Sequence, residues 1–169
     1  MREAAGRRGA REPRVAPAAS IFLASGDGGV VFKRILVPLD LSARNRRTID
    51  TARELARLHG ARVTLLHVVH QIPDLAATEL GSFYRRLERV SARRLRRIAA
   101  LFRARGLPVG VAVCVGEPAR EIVKSAMTRK IDLIVMGSHK VAPGPPSAGW
   151  GTTSYKVGIF CRCPILLVK

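Results

Sequence analysis

Five short and almost uninterrupted apolar runs, at residues 35–39, 62–69, 109–115, 132–136 and 164–169, recur from Lys33 to the last residue. Each is shorter than an average helix and lacks the alternation of a strand with one wet face, so each reads as a strand buried on both sides. The stretches between them carry a helical period instead. Over 43–59 the positions Ile49, Ala52, Leu55, Ala56 and Leu58 form one face, with Ser42 as the expected N-cap and Gly60 as the stop. A long helix is predicted over 79–105, its inner face Phe83, Leu87, Val90, Leu95, Ile98 and Phe102, ended by Gly106 and Pro108. A third helix spans 118–129, opened by Glu117 and Pro118 and striped by Ile122, Val123 and Ala126. A short fourth begins near Gly151. Strands and helices in strict alternation, joined by right-handed crossovers, leave few topologies. The expected fold is α/β: a three-layer, doubly wound, Rossmann-like open sheet of five parallel strands.

A chain of 169 residues, 47% of them apolar, supports one core. Residues 1–31 are rich in Ala, Gly, Pro and Arg without any period, so they bury too little surface to offset their ordering entropy. They are expected to be a flexible basic tail ahead of a single domain over 32–169. No run approaches the roughly 20 apolar residues of a membrane span, and the basic start lacks the apolar stretch of a secretory signal. A cytoplasmic location is expected. Cys114, Cys161 and Cys163 are odd in number, and C-R-C is neither a zinc-finger nor a thioredoxin-like spacing, so they read as structural thiols. The net charge of +18, with 30 basic against 12 acidic side chains, attracts polyanions through long-range fields.

Ligands of doubly wound sheets sit outside the carboxyl ends of the strands, where backbone amides at helix N-termini favour anions. That places Asp40 after the first strand, Val68 at the end of the second, and Met136, Gly137, Ser138 and His139 at the end of the fourth. Gly151, Thr152 and Thr153 open the last helix. Two glycine-containing turns flanking one loop are suited to wrap a polyphosphate, since glycine allows close backbone approach and threonine adds donors.

The segments KRILVPLDLS (33–42), VTLLHVV (63–69), VGEPAREIV (115–123), DLIVMGSH (132–139) and CPILLVK (163–169) together resemble the universal stress protein family. The resemblance implies strand order 3-2-1-4-5, dimerisation through the C-terminal strand and, in one branch of the family, binding of ATP with magnesium. In that branch adenine and ribose lie near the positions of Asp40 and Val68, and phosphates meet G-x-x-G followed after nine residues by G-[ST]. Pro38, Asp40, Val68, Met136, Gly137, Gly151 and Thr152 match that pattern. The second glycine does not: Lys140 stands there, ten residues separate it from Gly151, and Pro143, Pro145 and Pro146 crowd the loop. Lys140 brings its own positive charge to the predicted anion site.

Two readings follow: a homodimeric, ATP- or ADP-binding regulator of the stress response, or a dimeric signalling or scaffold module of the same fold without nucleotide. An adenylating ligase or nucleotidyltransferase is disfavoured, since H-x-G-H, S-G-G-x-D-S and metal-ligand clusters are missing from the sequence. His67, inside an apolar run, reads as structural. His139 lacks a partner in catalytic spacing, and Trp150 is expected to pack inward rather than stack on a base. The long helix carries Arg85, Arg86, Arg89, Arg93, Arg94, Arg96 and Arg97, with like charges four apart. Its plain reading is a solvated face and its sharper one a docking face for an acidic protein, RNA or anionic lipid; the interleaved stacking aromatics of a sequence-specific nucleic-acid reader are missing from it.

Overall fold

The computed structural model describes residues 31–71, 77–138 and 151–169. The tail, His139, Lys140, the three loop prolines and Trp150 therefore lie outside the described residues. Strands β1 (Arg34–Pro38), β2 (Arg62–His70), β3 (Val109–Gly116), β4 (Leu133–Gly137) and β5 (Ile165–Val168) alternate with helices α1 (Arg46–His59), α2 (Ala77–Arg103), α3 (Pro118–Thr128) and α4 (Thr153–Phe160). The sheet is parallel throughout, in the order β3-β2-β1-β4-β5. Ile35 lies opposite Val63 of β2 and Leu133 of β4.

Strand alternation divides the apolar runs between two cores. Ile35, Val37, Val63, Leu65, Leu133 and Val135 meet Ile49, Ala52, Ala56, Leu95, Ala99 and Phe102 of α1 and α2. Leu36, Leu66, Ile134 and Met136 meet Ala119, Ile122, Ala126 and Val157 of α3 and α4 on the other face. Continuous hydrophobicity is thus the requirement of a sheet covered twice. At the amino ends of the strands, the Asp132 carboxylate accepts from the backbone N–H of Lys33 at 2.8 Å and of Arg34 at 2.9 Å. Those bonds pin β4 to the start of β1.

Element ends agree with expectation to within a residue or two, as fraying ends do, but three points differ. Ser42 makes no side-chain capping bond, and a 3-10 turn over Ala43–Asn45 precedes α1. The Asp40 carboxylate instead closes the turn ahead of the helix, on the Ser42 N–H and the Asn45 side-chain amide, and the Asn45 N–H goes to the Ser42 carbonyl. On α2 the buried positions are Ser91, Leu95, Ala99 and Phe102, whereas Phe83 and Val90 are exposed. Among the described residues of this helix, full burial begins at Ser91, so Phe83 and Val90 lack the cover they were expected to have. Finally, Leu166 and Leu167 of β5 are exposed, since this edge strand is paired on one side only. Among the described residues no helix is long and apolar enough to cross a membrane.

Candidate functional site

β1 and β4 are adjacent in the sheet, yet their helices leave on opposite faces, which opens a crevice at the carboxyl ends of the strands. It has a volume of about 1130 Å³. Pro38, Asp40, Val68, Met136, Gly137, Ser138, Gly151, Thr152 and Thr153 all line it. The sequence-predicted residues inside the described segments are therefore brought together, from four separate stretches of chain.

The turn after β1 is closely tied. Leu39 N–H donates to Leu66 O at 2.8 Å, which extends the pairing with β2 past Pro38. His67 Nδ1–H donates to Leu39 O at 2.8 Å, so this histidine holds the turn rather than a ligand. Leu41 then takes a left-handed φ of 62°, a conformation that costs a branched residue free energy and persists only where its surroundings impose it. The Asp40 carboxylate supplies that constraint, accepting from Ser42 N–H at 2.8 Å and from the Asn45 side-chain amide at 2.5 Å. Asn45 is itself buried.

Partial burial raises the Asp40 carboxyl, but bonds from Ser42 and Asn45 and the nearby Arg44 charge outweigh it and hold the group below its ordinary value of 3.8. A carboxyl lowered on folding contributes stability above its unfolded value, and that stability is lost as pH falls through the folded value. The exposed side of Asp40 is screened by water, so the contribution is about 1 kcal/mol or less. Urea unfolding from pH 6 to pH 2 should show wild-type stability falling below about pH 4, with Asp40→Asn losing part of that fall. Identical pH profiles would show that Asp40 is not the titrating group.

Across the crevice, Thr152 caps α4 through its Oγ1, which accepts from Tyr155 N–H at 3.3 Å. The amides of the first turn of α4 thus begin at the crevice wall. Gly137 and Gly151 do not have positive φ. A Cβ on Gly151 would meet nothing within 4 Å, and one on Gly137 would lie 3.4 Å from Thr48 Oγ1. Neither glycine is demanded by a left-handed backbone; at Gly137 a Cβ would just reach contact distance from α1, which leaves no room for a larger side chain on that side.

Sequence reasoning missed the opposite rim. Arg44, Arg46, Arg47 and Lys169 also line the crevice, and Asp40 is the only acidic side chain among its described lining residues. Arg47 Nη1 donates to Lys169 O at 3.2 Å, joining the start of α1 to the end of β5. The signal was present in the run R-N-R-R at 44–47, at a helix N-terminus directly after a strand. It was absorbed into the general arginine excess. A second hollow of about 780 Å³, walled by Val123, Met127 and Phe160 with Lys124 and Lys156, lies on the outer side of α3 and α4. It gathers no set of reactive groups.

A five-stranded parallel sheet in this order, with a crevice at its switch point, defines a doubly wound α/β protein. Residues 32–169 match the universal stress protein family, and the chain belongs to that family. It is 34% identical over 142 residues to the Thermus aquaticus universal stress protein of the QAH/OAS sulfhydrylase 3′ region, covering 82% of this chain and 100% of that one. The fold is similar to universal stress protein UspA from Lactobacillus plantarum, with a TM-score of 0.67, 24% identity and coverage of 83% and 100% of the two chains. It is also similar to the Archaeoglobus fulgidus universal stress protein in complex with dAMP, at TM-score 0.59, 21% identity and coverage of 83% and 100%.

Proposed function

We propose that this protein is a homodimeric, nucleotide-binding regulator of the stress response that takes ATP or ADP in the crevice between β1 and β4. The observation that carries this reading is the meeting there of Asp40, Val68, Gly137 and Thr152 with four cationic side chains on one rim. The donor set suits the ligand. The Asp40 carboxylate is an acceptor for ribose hydroxyls, and Val68 offers an apolar edge to a base. Arg44, Arg46, Arg47, Lys169 and the capped start of α4 supply charge and N–H donors for phosphates. The Archaeoglobus fulgidus protein, with the same fold, is in complex with dAMP. Bound nucleotide would bridge the starts of α1 and α4, and through α4 would reach the edge strand β5.

Partner surfaces follow from the same reading. Leu166 and Leu167 on β5 are an exposed apolar pair on an edge strand, suited to the corresponding strand of a second copy. The eight arginines of α2 form no ion pair among the described residues, which suits an acidic protein.

Native mass spectrometry of the freshly purified full chain, repeated with added ATP and magnesium and with polyglutamate, reads all three. The expected spectra show a dimer, a bound adenine nucleotide and a salt-sensitive polyglutamate complex. At a hundredfold excess over Kd the nucleotide adds about 2.7 kcal/mol of stability, a melting-temperature rise of several degrees. An empty dimer with no thermal shift in ATP and magnesium would favour the alternative, a dimeric scaffold without nucleotide.

A further inference from the structure

Two thiols outside the crevice are unused by this reading. Cys161 is the C-cap of α4, its N–H donating to Val157 O at 2.9 Å, and Cys163 leads through Pro164 into β5. In an extended strand, side chains two apart share a face but stand about 7 Å apart. Here the chain bends at Arg162 and Cys163, and the two sulfurs come to 3.4 Å. Both residues are partly exposed, while their side chains pack against the core beneath α3 and α4. Closing that contact to a disulfide requires the sulfurs to move together by less than about 1.5 Å.

We propose that Cys161 and Cys163 form a reversible intramolecular disulfide, a modification site for two-electron oxidants of the peroxide class. The Cys161 thiolate attacks one peroxide oxygen and the O–O bond breaks. Cys161 becomes a sulfenic acid, and the departing hydroxide leaves as water with the proton that the thiol gave up. The Cys163 sulfur then attacks Cys161 Sγ; the S–S bond forms, the S–O bond breaks, and the second hydroxide leaves as water with the Cys163 proton. Two thiols and one peroxide thus give one disulfide and two waters, the sulfurs losing the two electrons that the peroxide gains. A dithiol reductant returns both thiols by exchange.

The two sulfurs are not equivalent. Burial first, and then contact with Cys161, push the Cys163 thiol up to about 12, so it stays protonated at neutral pH and leaves Cys161 to meet the oxidant. The small ring closed by C-R-C is of the strained kind, easily reduced again.

The test uses the full chain, treated with hydrogen peroxide, alkylated and weighed. The expected product is about 2 Da lighter and takes up two fewer alkyl groups, and dithiothreitol restores both. Trypsin cuts after Arg162, so the two cysteines leave on separate peptides when reduced and as one linked pair when oxidised. Cys114→Ala should leave the result unchanged, and Cys163→Ser should abolish the link and leave a dimedone-reactive Cys161. Full alkylation after peroxide, sulfinic acid without a link, or a disulfide that always includes Cys114 would each overturn the proposal.

Discussion

Phe102→Ala should lower the unfolding free energy by about 3–5 kcal/mol, the largest stability effect expected of any single truncation in this chain. Phe102 has no exposed surface and is the largest of the fully buried side chains. It lies with Leu95 and Ala99 in the larger of the two cores, on the helix that packs over β2 and β3. The helix that carries it has little to hold it otherwise. Arg85, Arg89, Arg93 and Arg97 repel one another at four-residue spacing, and among the described residues α2 is buried at Ser91, Leu95, Ala99 and Phe102, with Ile98 packed beside them. The backbone effects are small, since Arg105 and Leu107 donate to the Phe102 carbonyl, which alanine retains. Urea unfolding checks the value: a midpoint shift with an unchanged slope is expected. A loss below about 2 kcal/mol would mean that the surrounding layer collapses into the space.

Gly137→Val should disable the crevice while leaving most of the fold intact. A Cβ at Gly137 already stands 3.4 Å from Thr48 Oγ1, and Thr48 is buried in the first turns of α1. Alanine needs only a slight shift, for a cost under about 1 kcal/mol. Valine adds two methyl groups with restricted rotamers, and α1 must move away from β4 at a cost of about 1–3 kcal/mol. Arg44, Arg46 and Arg47 stand at that end of α1 and move with it. The expected result is a modest drop in urea midpoint together with loss of the ATP-induced thermal shift, both close to wild type in Gly137→Ala. A full thermal shift in Gly137→Val would show that the ligand does not depend on where α1 begins.

How much was legible in advance depended on the range of the interaction concerned. The apolar runs at 35–39 and 132–136 could be read as doubly covered strands because burial on two faces leaves a local trace, hydrophobicity without alternation. Asp40, Gly137 and Thr152 could be singled out because strand ends and helix starts are local events, and the fold brings strand ends to one edge. Ser42 was expected to cap α1 because a serine after a strand suits that place, but only the path of the chain through Leu41 decides what each oxygen faces, and there the Asp40 carboxylate closes the turn on the Ser42 N–H and the Asn45 side chain.

By itself, the sequence determined the order and type of the elements, the parallel sheet, the family and which residues gather at one edge of the sheet. All of these follow from short-range patterns of burial and turn chemistry. Tertiary structure alone decided that four cations rim the crevice, that Phe83 and Val90 of α2 stand in water, and that Cys161 touches Cys163. Each depends on where one element lies against another or on how a bend turns two side chains. Arg47 and Lys169, 122 residues apart in the chain, leave no mark on one another until the sheet places β5 beside β4 and α1 packs across them.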